Sequence, residues 1–113
     1  MFKVPINAFW RHPQTRTHLE LIAISWQENS PKIQLDLRSL RLHQPGTWSL
    51  TIDASSTDAA DLIKTLQDHR KIAYSLKFHP LTIYLLSSLI DYLQSRQRST
   101  TSPGLDFIQQ NYK

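Results

Sequence analysis

The chain has 113 residues, 40% hydrophobic and 19% charged, a size and balance that suit one domain with one core. Two glycines exclude a glycine-rich phosphate loop, and the absence of cysteine excludes disulfides, thiolate metal sites and cysteine nucleophiles. A net charge of +4, with a pI near 9.6, favours anionic partners by electrostatic attraction.

The N-terminal "MFKVPINAFWRHPQ" interrupts its apolar residues with Lys3, Pro5 and Arg11 and so lacks the continuous apolar run of a secretory signal. The expected location is the cytoplasm or the equivalent compartment of an organelle. "HLELIAISW", residues 18 to 26, is rich in strand formers and ends at the turn residues "QENSP". Leu19 and Leu21 share one parity and Ile22, Ile24 and Trp26 the other, which means either a strand covered on both faces or a bulge that shifts the phase.

In "KIQLDLRSLRL", Ile33, Leu35 and Leu37 alternate with Lys32, Gln34, Asp36 and Arg38, the period of a half-buried strand. A one-residue bulge at Ser39 would keep Leu40 and Leu42 on the inner face. Pro45 and Gly46 suit the centre of a type II turn, and "TWSLTID" then carries Trp48, Leu50 and Ile52 inward, making 32–53 a hairpin.

"SSTDAADLIKTLQDHR" predicts a helix with a Ser/Thr N-cap, acidic residues Asp58 and Asp61 in its first turn, and an apolar stripe of Ala59, Leu62, Ile63 and Leu66. "IAYSLKF", residues 72 to 78, alternates again and predicts a strand reached by a crossover and running parallel to 47–53 or a neighbour. Pro80 fits the first turn of a following helix that extends to about Arg96. "LTIYLLSSLIDYL", residues 81 to 93, gives that helix an apolar arc wider than one stripe, yet it is too short to span a bilayer and contains Asp91. Membrane insertion is not expected, and the second apolar side needs cover from the chain itself or from a partner. Residues 99–104 read as a linker and 105–113 as a short amphipathic segment with Leu105, Phe107, Ile108 and Tyr112.

The fold expected is therefore α+β: a single domain over 1–98 with a three-stranded antiparallel meander, a crossover helix, a fourth strand and a long apolar helix packed on the sheet. His12, His18, His43, His69 and His79 are scattered without metal-ligand spacing, and no nucleophile, zinc or nucleotide motif occurs. Neither a metal nor a cofactor is expected.

The predicted order of three strands, a helix and a strand resembles part of the restriction-endonuclease-like core. That resemblance implies metal-binding carboxylates at Asp36 and Asp53, with Ser55 standing where the family carries a lysine. Three functional readings follow. The first is a non-catalytic protein-interaction module, an accessory or assembly subunit of a larger complex. It would meet another protein or a second copy of itself through residues 81–93 and the C-terminal segment, with Tyr84, Ile90, Leu93, Phe107 and Tyr112 at the interface. The second is a nucleic-acid-binding protein using Lys32, Arg38 and Arg41 on the outer hairpin face. The third is the metal-dependent nuclease that the resemblance implies.

Overall fold

The computed structural model describes residues 1–11, 18–39 and 46–111, and side chains as far as residue 98. Strands β1 (Phe2–Arg11), β2 (His18–Trp26), β3 (Lys32–Ser39) and β4 (Thr47–Asp53) are followed by helices α1 (Thr57–Ser75) and α2 (Pro80–Asn111). The strands form one antiparallel sheet in chain order, β1-β2-β3-β4, and the two helices cover one of its faces. The class is α+β, as the periodicity implied, with all four strands ahead of the helices and no crossover.

Three segments differ from expectation, the first being residues 99–104, expected as a linker after a helix ending near Arg96 but lying within α2, which runs on to Asn111. The N-terminal residues form a full strand because Val4, Ile6 and Trp10 alternate inward against exposed Lys3, Pro5 and Phe9. Residues 72–75 are not a strand but the last turn of α1. Nothing between Asp68 and Ser75 breaks a helix, and His69 and Ala73 extend the buried stripe of Leu62 and Leu66 at three- and four-residue spacing. That stripe packs on the sheet, whereas the two-residue alternation of Ile72, Tyr74 and Leu76 leaves all three exposed.

The phase change in β2 is a bulge. The register with β3 runs from Leu21↔Leu37 to Ala23↔Asp36, so Ile22 is the extra residue, and Leu19, Leu21, Ile24 and Trp26 all reach the buried side. A second irregularity lies opposite it in β1, between Pro5 and Ala8, where Asn7 takes a left-handed φ of 56°. One residue is thus added on passing from β3 to β2 and another from β2 to β1, which bends the β1 side of the sheet.

The hairpin of β3 and β4 keeps the predicted facing, with Ile33, Leu35, Leu37 and Ile52 buried. Gly46 does not adopt the positive φ of a type II turn centre, and its carbonyl instead accepts from the Ser39 N–H at 3.0 Å, extending the ladder. Leu40 and Leu42 lie outside the described residues.

Helix α1 starts at an N-cap, Ser56, whose Oγ accepts from the Ala59 N–H at 3.2 Å. It ends in a Schellman arrangement: Lys77 N–H donates to the Tyr74 carbonyl at 3.2 Å and Phe78 N–H to the Ala73 carbonyl at 2.9 Å, with Lys77 left-handed at φ 55°. Pro80 then opens α2 as expected, and His79 caps it by accepting the Leu81 N–H on Nδ1 at 3.1 Å.

The wide apolar arc of α2 is covered by its own chain. Leu86, Leu89, Ile90, Tyr92 and Leu93 are buried in the core shared by both helices and the sheet. The polar side of the same stretch is anchored as well. The Tyr92 hydroxyl donates to the Ser30 carbonyl, Arg96 reaches the Glu28 carbonyl at 3.1 Å, and Gln97 donates to the carbonyls of Ala54 at 3.0 Å and Ser56 at 2.8 Å. Among the described residues no helix is long and apolar enough to cross a membrane.

Candidate interaction site

Burial of residues 86–93 leaves the first turn of α2 and the last turn of α1 with apolar side chains that the core does not use. Ile72, Tyr74 and Leu76 at the end of α1, and Leu81 and Tyr84 at the start of α2, are all more than half exposed. The two turns are joined by the Schellman link and the His79 cap, so this corner has a defined backbone rather than a loose loop.

Beside the corner runs a groove of about 740 Å³ between β1 and the C-terminal half of α1. Ile6 and Phe9 from β1, Ile72 and Leu76 from α1, and Phe78 from the connection supply most of its apolar wall. Phe9 is 74% exposed, a large aromatic on the otherwise polar side of β1. Grooves of this size, apolar with a few polar groups, are where side chains or small molecules are commonly received.

Among the polar groups of that wall, which include Thr65, Asp68 and His79, His69 is the buried one. It is 8% exposed, its ring meets Phe78 edge-on at 6.0 Å, and its buried Nε2 has no hydrogen-bond partner. Burial holds its pKa below the usual histidine value, so the neutral imidazole is the form this site accommodates.

The residues singled out from sequence are distributed as follows. Tyr84 is on the exposed corner, 66% accessible. Ile90 and Leu93 are not at a surface: they are 1% and 0% exposed, because the apolar arc that suggested an interface is the arc the sheet and α1 cover. The side chains of Phe107 and Tyr112 lie outside the described residues, as do those of the expected linker and C-terminal segment.

Arg41 is likewise outside them, while Lys32 and Arg38 stand on the outer sheet face, each beside an acid. Lys32 Nζ lies 4.0 Å from Asp53 and Arg38 Nη1 3.3 Å from Glu20, and Lys3 adds a third pair at 3.4 Å from Asp36. The outer face is therefore a mixed-charge ladder, and its cations meet phosphates only in competition with carboxylates already in place.

Asp36 and Asp53 do not form a shared metal site. Asp36 pairs with Ser49 across the ladder and Asp53 with Lys32, so they stand four residues apart along β4, roughly 13 Å at strand rise. Burial raises the Asp36 pKa, but hydrogen bonds from Gln34 and Ser49 and the nearby Lys3 ammonium outweigh it and hold the carboxyl below its usual value. The Ser55 hydroxyl and backbone N–H, with help from Lys32 and Arg96, do the same for Asp53. Each carboxylate is already satisfied, and no group of three potential metal ligands occurs among the described residues.

Phe9, His69, Ile72 and Leu76 were not singled out from the sequence, although signals for three of them exist. Phe9 is apolar where the β1 alternation calls for a polar residue, and Ile72 and Leu76 form an i, i+4 pair displaced from the buried stripe. Comparison with protein-family models, with curated proteins and with solved structures finds no match to this chain.

Proposed function

We propose that this chain is a non-catalytic protein-interaction module, an accessory or assembly subunit that receives a partner protein at the α1–α2 corner. The observation that carries this reading is the placing of Ile72, Leu76, Leu81, Tyr84 and Phe9, all exposed, around one rigid corner and its adjoining groove. Large apolar side chains presented together by capped elements are what a buried interface centre requires. The fitting partner inserts an aliphatic or aromatic side chain against His69 and Phe78. Tyr84 keeps the role expected of it, and Phe9 and Leu76 take the place of Ile90 and Leu93.

A photo-cross-linking phenylalanine analogue at Phe9 or Tyr84, compared with one at exposed Lys64, tests the reading in cells. The expected result is one common adduct protein at both corner positions, absent at Lys64 and lost when Leu76→Asp is added. Adducts that are the same at Lys64, or that survive Leu76→Asp, refute it. Nucleic-acid binding is the rival reading: there, Arg38→Glu with Arg41→Glu abolishes a salt-sensitive oligonucleotide shift and leaves corner adducts unchanged.

A further inference from the structure

The two edges of the sheet are built differently. Edge strand β1 carries Pro5, a bulge beside left-handed Asn7, and the cations Lys3 and Arg11, all devices that discourage another strand from pairing there. Edge strand β4, "TWSLTID", has none of them: no proline, no bulge in its register with β3, and one charge, Asp53, at its very end. Among the described residues β3 is its only strand neighbour.

The ladder shows which backbone groups β4 leaves open. Gly46 and Ala54 bond to β3, through Ser39 N–H to the Gly46 carbonyl at 3.0 Å and Ala54 N–H to the Pro31 carbonyl at 2.8 Å. By antiparallel alternation, the N–H and C=O groups of Thr47, Ser49 and Thr51 and the N–H of Asp53 therefore point out of the sheet edge, while the Asp53 carbonyl is already taken by the Ser56 N–H at 3.0 Å and the Ser56 hydroxyl at 2.6 Å. On the inner face of the same strand, Trp48 is 43% exposed and Leu50 only partly buried, so the apolar surface also continues to the edge.

We infer that β4 is the docking edge for β4 of a second copy of this chain, paired antiparallel about a two-fold axis at Leu50. The occupant follows from self-complementarity. In that register Ser49 meets Thr51 in hydrogen-bonded pairs of two bonds each, and Thr47 meets Asp53 through the Asp53 N–H alone, giving about six backbone bonds. Leu50 meets its own copy, and Trp48 meets Ile52, in the closer non-bonded pairs, so the exposed indole is covered by apolar surface. No like charges face each other, because the strand's one carboxylate stands opposite a threonine and is already beside Lys32. The two sheets become one, with both helical layers on the same side. The α1–α2 corner takes no part in this contact.

Light scattering of the full chain across a concentration series, with cysteine trapping, tests the inference, and the absence of native cysteine makes trapping clean. Leu50→Cys places two thiols opposite each other on the axis, within the Cα separation a disulfide needs. The expected results are a doubled mass for the wild-type chain, and mild oxidation that traps Leu50→Cys as a dimer faster than Lys64→Cys. Thr51→Pro, which removes an outward N–H without touching the bonds to β3, is expected to halve the mass while keeping the circular dichroism spectrum. A single-chain mass throughout the series, or trapping of Leu50→Cys no faster than Lys64→Cys, overturns the inference. A folded Thr51→Pro chain that remains dimeric does so too. Should Thr51→Pro not fold, the trapping comparison decides alone.

Discussion

Leu93→Ala separates a core helix from an interface helix. Leu93 is fully buried, on the face of α2 that packs with Leu89 and Ile90 against the sheet and α1. Truncating a leucine in such a setting removes its transfer free energy and leaves a cavity, and the usual loss is about 2–5 kcal/mol. Leu86, Leu89 and Ile90 on the same side of α2 are buried as well, so a loss of about 3 kcal/mol is expected. For a domain of this size the melting temperature then falls by roughly 10–20 °C. Urea denaturation followed by tryptophan fluorescence suits the measurement, since Trp10 and Trp26 are buried beside the same core. The paired control is Tyr84→Ala, 66% exposed, expected to change stability by less than about 0.5 kcal/mol. A loss under about 1 kcal/mol for Leu93→Ala refutes the assignment of α2 to the monomer core.

Three further perturbations have defined outcomes. Because burial lowers the His69 pKa in the folded state, the unfolded chain takes up the proton first as pH falls; stability is fully present above about 6.5 and declines below it, toward the folded pKa. Urea midpoints at pH 7.5 and 5.5 should therefore differ in the wild type and converge in His69→Phe. The depressed carboxyls of Asp36 and Asp53 act in a separate, lower window: the stability they contribute is present above the ordinary aspartate value of 3.8 and is lost as pH falls below it. Lys77→Gly relieves a left-handed non-glycine residue at the Schellman position and should stabilise by about 0.5–1 kcal/mol, read as a higher urea midpoint with an unchanged slope. Ser56→Ala removes the N-cap acceptor of Ala59 N–H and should cost about 1 kcal/mol in the same assay.

The location of the core strands and of the first helix was legible because each carries a periodic apolar pattern with a terminating signal. The alternation Ile33, Leu35, Leu37 and the cap Ser56 identify β3 and the start of α1 without any long-range information, whereas the parity change in β2 left a bulge and a strand covered on both faces as equal readings until the register with β3 decided for the bulge. The candidate site was less legible. Its residues are apolar side chains left over after packing, and which ones are left over depends on what the sheet covers. Tyr84 and Leu93 belong to the same apolar run in sequence, yet one is exposed and the other wholly buried.

By itself, then, the sequence determined the class of the fold, the inward face of β3, the start of α1 and the Pro80 start of α2, because these depend on interactions between residues close along the chain. Tertiary structure decided that residues 72–75 finish a helix, that the N-terminal segment is the sheet's first strand, and that α2 buries its 86–93 arc. In each case a local pattern compatible with two conformations was resolved by which one could bury Ala73, Trp10 or Leu93 against distant parts of the chain.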